Sequence, residues 1–191
     1  MKDLTRKQLI EAARTLFVRN GYDDTTMIQI AEEAGKGRRT LYYYFPSKRA
    51  MLRAVVEEEL NRIVDVLEAI VEKDIPADKK IMEFVISRLN NVRHSIFRNG
   101  SLRADFSRFM RTIESIRGKC EKREIALIEQ ILLQGIHEGI FHMDNLRFMA
   151  SILHYCMRGL ERPYVLGEFS KAGDEQALER AARKVIFGAL R

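Results

Sequence analysis

A helical repeat of apolar residues, sustained for about seven turns, is the feature that most restricts how this chain can fold. The repeat starts after Ser47 and stops at a break that contains Pro76. Residues three and four apart share one face of a helix, so the repeat predicts one long helix that can join two modules. Its apolar members are Met51, Leu52, Val55, Val56, Leu60, Ile63, Val64, Leu67, Ile70 and Val71.

The composition supports an all-α chain with a core of its own. The 191 residues include only 3 Pro and 11 Gly, whereas strand-rich folds need turn residues about every 8–12 positions. Apolar residues make up 46% of the chain, well above the level that is typical of disorder. Further helices are predicted at 78–99, 101–117, 119–138, 144–167 and 174–190.

Neither the apolar runs nor the N-terminus predicts a membrane or secreted protein. The longest apolar run has five residues, at 41–45, whereas a membrane span needs about 20. The first residues lack the apolar region of a secretory signal. We therefore expect a cytoplasmic, reduced protein. A redox role for Cys120 or Cys156 stays open, although isolated cysteines more often serve as small buried hydrophobic residues.

Three short helices are predicted in the first 46 residues. The spacings Thr5-x-x-Gln8 and Thr26-x-x-Gln29 are typical of capping boxes, in which two side chains satisfy free N–H groups at a helix start. Pro46 limits the third helix. Two short helices joined by a tight turn form a helix-turn-helix, whose second helix enters the major groove of DNA. Ala31 and Gly35 are small enough for the close approach of these helices.

Basic residues are concentrated at this motif. The chain has 33 Lys and Arg against 27 Asp and Glu, a formal net charge of +6. Residues 36–53 contain no acidic side chain, and their basic residues equal that whole excess in number: Lys36, Arg38, Arg39, Lys48, Arg49 and Arg53. With Leu41 and Phe45 inward, the second helix exposes residue types that contact DNA, namely Arg38, Arg39, Thr40, Tyr42, Tyr43 and Tyr44.

Residues 6–52 contain further pairs and triplets of residues whose order and spacing are typical of a known domain. They are Ala12-Ala13, Leu16-Phe17, Gly21-Tyr22, Thr25-Thr26, Ile30-Ala31, Ala34-Gly35, Thr40-Leu41-Tyr42, Tyr44-Phe45 and Ser47-Lys48. This pattern resembles the DNA-binding domain of the TetR (tetracycline-repressor-like) family of transcriptional regulators. The resemblance implies an N-terminal three-helix DNA-binding domain at 1–48. A long helix would join it to a C-terminal helical domain for ligand binding and dimerisation at 49–191.

The resemblance also implies roles for single residues. Those that resemble phosphate contacts are Thr26, Tyr42, Tyr44 and Lys48, whereas those expected to read bases are Arg38, Arg39, Thr40 and Tyr43. The alternatives are that one of the three tyrosines only packs against the long helix, and that Lys48 is a solvated charge. Homodimerisation is implied through 144–167 and 174–190, so that two reading helices meet a palindromic operator.

Three residues of the turn depart from the usual pattern of the family. Lys36 stands where a small apolar residue is usual, Gly37 where Ser is usual, and Arg39 where Gly is usual. Glycine can still cap a helix, so the fold is expected to persist. Arg38 and Arg39 suit bidentate contact with guanine, and we therefore expect guanine in the half-sites.

The residues give little information about the effector, and no cofactor is predicted. Apolar residues that could line a cavity include Phe84, Leu89, Phe106, Phe109 and Met110, although an ordinary core is the alternative for most of them. Five arginines at 88, 93, 98, 103 and 108 spiral around a helix, so we expect them to lie on a solvated surface. His137 and His142 do not share a helix face, so no metal site is expected.

A ligand-responsive regulator is therefore the function that the sequence favours, and within this class a repressor that a small molecule releases from DNA. A regulator that activates, or that uses no small molecule, is the alternative within the class. No enzyme is expected, because phosphate loops and common catalytic motifs are missing. A membrane-surface helical protein is the alternative without DNA, but Pro46 interrupts the basic segment and tyrosines replace apolar anchors.

Overall fold

The computed structural model describes residues 2–98, 112, 114–165, 167 and 175–190. These residues form helices and contain no strand, so the all-α prediction is confirmed. The helices are α1 (Lys2–Asn20), α2 (Met27–Glu33), α3 (Arg38–Tyr44), α4 (Lys48–Val71), α5 (Ala77–Arg98), α6 (Gly118–His137), α7 (Leu146–Val165) and α8 (Glu175–Leu190).

Four of the five helices predicted beyond the long one agree with the structure to within two residues at each end, namely α5, α6, α7 and α8. Most of the predicted helix at 101–117 lies outside the described residues. The expected capping box at Thr5 is wrong, because α1 already begins at Lys2 and Thr5 lies inside it. Asp3 falls in the first turn, where the helix dipole favours a negative charge.

The chain divides into two compact units. The N-terminal unit contains residues 1–61 and 95–118, and the C-terminal unit contains residues 62–94 and 119–191. The boundaries therefore fall inside α4, inside α5 and directly after Gly118, the first residue of α6. The functional division that we expected, at residue 48, stays a prediction.

The N-terminal unit is built around large apolar side chains from consecutive helices. Phe17 of α1, Ile30 of α2, Leu41 of α3 and Met51 of α4 are buried. An ionic contact adds to this core, because Arg14 Nε lies 2.9 Å from Glu59 Oε1. Burial of the inward side chains fixes which residues of α2 and α3 face the solvent.

The C-terminal unit contains a close contact between a glycine and an aromatic ring. Phe141 is buried against Gly135 of α6, at a place where any Cβ would overlap the ring. Phe141 also stacks on Phe187 of α8, with ring centroids 6.3 Å apart. Because Gly135 has no side chain, the loop after α6 can fold back against this helix. Phe141 of that loop then packs against Phe187 of α8.

Replacing Gly135 with alanine tests this contact. Because the added methyl group overlaps the Phe141 ring, we expect Gly135→Ala to lower the free energy of unfolding by about 1–3 kcal/mol. Gly118→Ala is the control, since no atom lies within 4 Å of its added Cβ, and its effect should stay within about 0.5 kcal/mol. Chemical denaturation measures both, and equal stabilities would contradict the overlap.

Candidate nucleic-acid interface and a buried ionic cluster

Local hydrogen bonds define both ends of α2. The predicted capping box is present, since Thr26 Oγ1 accepts from Gln29 N at 3.2 Å and Thr26 N donates to Gln29 Oε1 at 2.8 Å. At the other end, Gly35 N donates to Glu32 O, and the next amide donates to Ala31 O. These two bonds form a Schellman motif, which stops the helix at a left-handed residue.

The turn between α2 and α3 depends on the backbone freedom of Gly35. Its φ is +62°, and nothing lies within 4 Å of a Cβ placed there. The close helix approach that we expected at Gly35 is therefore wrong, since the position needs a left-handed conformation rather than a small volume. Ala31 is fully buried, as a close contact between helices requires.

The helix α3 presents most of the residues predicted to contact DNA to the solvent. Gly37 is its N-cap and provides no side-chain cap, while Leu41 and Phe45 are buried. The remaining positions point away from this core: Arg38, Arg39, Tyr42 and Tyr43 are exposed, and Thr40 and Tyr44 are half-buried. The side chains predicted to read bases thus lie together on one short helix.

Aromatic contacts continue along the end of α3. The rings of Tyr43 and Tyr44 meet edge to face, with centroids 5.1 Å apart. Tyr44 in turn lies 6.5 Å from the ring of Phe45. Tyr43 is 70% exposed and Tyr42 is 47% exposed, so Tyr44 is the member of the three that packs most deeply.

Lys48 stabilises the loop between α1 and α2. Its Nζ donates to the carbonyl oxygens of Tyr22, Asp23 and Thr25 at 2.7, 3.0 and 2.9 Å, and lies 4.6 Å from the centroid of the Tyr22 ring. An ammonium group has three protons to donate, and three carbonyls accept them here. The solvated lysine that we weighed as an alternative does not describe this arrangement.

The largest disagreement between sequence and structure concerns Arg88. We expected a solvated surface for the arginine series, but Arg88 is only 2% exposed. Its Nε lies 2.6 Å from Glu124 Oε2, and its Nη1 lies 2.6 Å from Glu161 Oε1. Three helices of the C-terminal unit, α5, α6 and α7, therefore meet at one buried guanidinium.

His154 completes this buried ionic cluster of Arg88, Glu124, Glu161 and His154. Its ring is buried, with Nδ1 3.3 Å from Glu124 Oε2. Burial alone would raise the pKa of Glu124, but the contact with His154 and the charge of Arg88 outweigh burial and lower this pKa to about 2. Glu124 is thus an ionised carboxylate inside the C-terminal unit.

A sequence signal for part of this cluster existed. Ala150, Leu153, Met157, Glu161 and Tyr164 form the buried stripe of α7 at steps of three and four residues. Reading that register would have placed Glu161 inside. Ile152, next to Leu153 in the chain, lies outside this buried stripe and is 42% exposed.

The residues predicted as cavity-lining, redox or metal-binding candidates differ in their burial. Phe84 and Leu89 of α5 are buried, whereas Phe106, Phe109 and Met110 lie outside the described residues. Cys120 is buried and Cys156 is exposed. His137 and His142 are both exposed. Among the described residues, no three or more His, Cys, Asp or Glu side chains group in a way that could hold a metal ion.

The two helices predicted to form the dimer interface carry exposed apolar side chains. On α7 these are Phe148, Ile152 and Tyr155, of which Phe148 is 63% exposed. On α8, Val185 is 72% exposed. In the part of the chain that the structure describes, none of the helices combines the length and the apolar character that crossing a bilayer requires.

The short helices, the tight turn and the exposed basic and aromatic face of α3 form a helix-turn-helix, the motif with which many regulators bind DNA. A family model described as "Bacterial regulatory proteins, tetR family" matches residues 9–55. The match identifies residues 9–55 as a DNA-binding domain of the TetR family of transcriptional regulators.

Two curated relatives extend the comparison. The uncharacterized regulator YfiR of Bacillus subtilis is 40% identical over 60 residues, which are 31% of this chain and 29% of that protein. In this match the chain spans less than a third of the relative's length. The transcriptional repressor AcnR of Corynebacterium diphtheriae is 21% identical over 93% of this chain and 87% of that protein.

Solved structures share the fold over nearly the whole chain. A transcriptional regulator from Cytophaga hutchinsonii has a TM-score of 0.73 at 27% identity, covering 96% of this chain and 97% of that one. The regulator FadR of Bacillus subtilis, solved in complex with stearoyl-CoA, has a TM-score of 0.64 at 17% identity. It covers 97% of this chain and 100% of its own. At that identity the FadR comparison shows the fold alone.

The contacts of Lys48 predict a structural effect on the helix-turn-helix. Lys48→Met removes the donor of three carbonyls but keeps the aliphatic stem, and we expect the free energy of unfolding to fall by about 1–3 kcal/mol. Amide hydrogen exchange should also rise at residues 22–26. The neighbouring exposed Arg49 is the control, because Arg49→Met makes the same change in charge. Equal losses in both variants would contradict the role of these bonds.

The buried carboxylate of Glu124 predicts a dependence of stability on pH. Because its pKa is depressed in the folded state, its stabilising contribution is complete above the ordinary value of 4.5 and is lost as the pH falls toward about 2. Glu124→Gln should lower the free energy of unfolding at pH 7 by up to about 3–5 kcal/mol. The difference from the wild type should shrink across that pH interval.

Glu129→Gln is the control for this titration, since Glu129 lies on the same helix and its one ionic partner among the described residues is Arg147, at 3.9 Å. Urea denaturation at a series of pH values measures all three proteins. A difference between Glu124→Gln and the wild type that stays constant from pH 5 to pH 2 would show that Glu124 is not the group that titrates.

Proposed function

We propose that this protein is a ligand-responsive transcriptional repressor that binds palindromic operator DNA as a homodimer in the bacterial cytoplasm. The observation that carries the proposal is the face of α3, where Arg38, Arg39 and Tyr43 are exposed beside one another. The name of the relative AcnR, a transcriptional repressor, supports repression rather than activation.

Two kinds of DNA contact follow from the exposure of these residues. We assign base reading to Arg38, Arg39, Thr40 and Tyr43, and we assign phosphate contact to Tyr42 and Tyr44. Thr26 lies at the start of α2, where its exposed side chain can reach a phosphate. Among the described residues, neither Arg38 nor Arg39 has a carboxylate partner, which leaves both guanidinium groups available to guanine.

Lys48 receives a different assignment from the one that the resemblance implied. Its three protons already go to carbonyl oxygens, so a bond to phosphate would have to break one of these bonds. We propose that Lys48 acts through the loop before α2 and orients Thr26 and the turn. Its positive charge still adds to the general attraction for DNA.

Dimerisation is assigned to the exposed apolar faces of α7 and α8. Phe148, Ile152 and Tyr155 recur at steps of four and three on α7, which places them on one side of the helix. Exposed apolar side chains in such a row mark surfaces that bind a partner. A second copy of the chain would bury them and would bring two reading helices to half-sites about 34–36 Å apart.

We place effector binding in the C-terminal unit, with Phe84 and Leu89 as apolar candidates on α5. The FadR structure, which shares the fold, was solved in complex with stearoyl-CoA, and this supports a small-molecule ligand for the present chain. Release requires that the ligand prefer one of two conformations, by a coupling free energy of about 1–3 kcal/mol. Ligands can be identified because they raise the melting temperature of the protein. If none of these ligands weakens DNA binding, regulation without a small molecule is the better explanation.

Selection from a pool of random duplexes tests the proposal. We expect an inverted repeat with guanine in each half-site to emerge. With this duplex, Arg38→Ala should lose about 1–3 kcal/mol of discrimination at one base position and leave the other positions as strict as before. Lys36→Ala is the matched control, since it removes a charge of the same sign just outside α3 and should weaken all sequences evenly.

A single half-site in place of the inverted repeat would contradict dimeric binding. Even weakening of every sequence by Arg38→Ala would contradict base reading. Recovery of no duplex at all, together with tight binding to anionic vesicles, would favour the membrane-surface alternative.

A further inference from the structure

Arg6 lies on α1, outside the segment to which the sequence assigned DNA contacts, yet it reaches the end of the reading helix. Its guanidinium carbon is 5.6 Å from the centroid of the Phe45 ring. Phe45 is the residue at which α3 ends, and its side chain is buried. The Arg6 side chain itself is exposed, so its charged end rests on a fixed ring at the edge of the solvent.

No carboxylate of the described residues neutralises the charge of Arg6. Two other arginines of α1 have carboxylate partners, since Arg14 pairs with Glu59 at 2.9 Å and Arg19 pairs with Glu33 at 3.4 Å. Among the described residues no carboxylate pairs with Arg6. Arg38 and Arg39 of α3 likewise have no carboxylate partner among the described residues. Several cations without such partners in one unit produce a positive potential that attracts a polyanion.

The position of the Arg6 guanidinium over the Phe45 ring is compatible with contact to a phosphate. A guanidinium that rests on an aromatic ring uses its face, whereas its five N–H donors point outward in its own plane. Stacking also restricts the flexible side chain before binding, which reduces the entropy lost when a phosphate is bound. Arg6 can therefore keep its contact with Phe45 and donate to a phosphate oxygen at the same time.

We propose that Arg6 is a further phosphate-contacting residue, supplied by α1, which fixes the end of α3 on the operator backbone. The Phe45 ring connects it to the proposed interface, because Tyr44, which we assign to phosphate contact, lies 6.5 Å from the same ring. Arg6 and Tyr44 would thus contact the backbone at the same end of the reading helix. This inference rests on the proposed function.

A purely structural role for Arg6 predicts different behaviour. The last turn of α3 contains no basic residue, and a nearby positive charge favours the negative end of a helix dipole. Loss of such a contact would lower the stability of the unit but would not change how DNA binding depends on salt. The salt dependence therefore separates phosphate contact from structural support, since each neutralised phosphate releases counterions.

The test compares Arg6→Gln with Lys7→Gln on the duplex obtained by selection. Lys7 carries the same charge on the next residue, is also exposed, and points about 100° away around α1. We expect Arg6→Gln to weaken binding about tenfold and to reduce the slope of log K against log salt by about 0.9 for each bound subunit. Lys7→Gln should retain the wild-type slope, and Arg6→Lys should restore most of it.

Two results would overturn this inference while the proposed function stands. One is a lower melting temperature for Arg6→Gln with an unchanged salt slope, which would indicate structural support alone. The other is an equal loss of slope in Lys7→Gln, which would indicate general attraction. A wild-type protein that binds no duplex would overturn the proposed function and this inference together. Arg38→Ala tests the proposed function by itself, because this variant should lose specificity in the same assay whatever the result for Arg6.

Discussion

The position of the reading helix depends on the ammonium group of Lys48. This group lies at the first residue of α4 and binds three carbonyl oxygens of the loop that follows α1. The loop leads into α2 through the capping box of Thr26, and the left-handed Gly35 turns the chain into α3. One cation thus links the start of the long helix to the segment that precedes α2.

Charges are used in two different ways in this chain. Beside α3 they are exposed and lack carboxylate partners among the described residues, as Arg38 and Arg39 illustrate. In the C-terminal unit, Arg88 is enclosed by Glu124 and Glu161 and is shielded from water. A buried ionic group of this kind adds little net stability compared with apolar packing, but the loss of one member is costly. It therefore fixes how α5, α6 and α7 pack together.

Several short-range features of the sequence predicted the structure correctly, although the capping box expected at Thr5 did not. The capping box of Thr26 depends on residues three apart, and the inward positions Leu41 and Phe45 follow from one turn of helix, so each could be identified locally. Long-range contacts could not be identified in this way. Arg88 is buried because its partner Glu124 lies 36 residues away, and the carbonyls that Lys48 binds lie 23 to 26 residues before it. Spacing along the chain contains no signal for either contact.

The central claim is that the exposed face of α3 and the segments next to it meet DNA. Amide hydrogen exchange of the full chain, with and without the selected duplex, tests this claim directly. The account predicts slower exchange upon DNA binding at residues 26–45 and at the start of α4, where the reading helix and its supports lie. Unchanged exchange across residues 26–45 in a saturated complex would contradict it, and protection confined to α7 would move the interface to another surface.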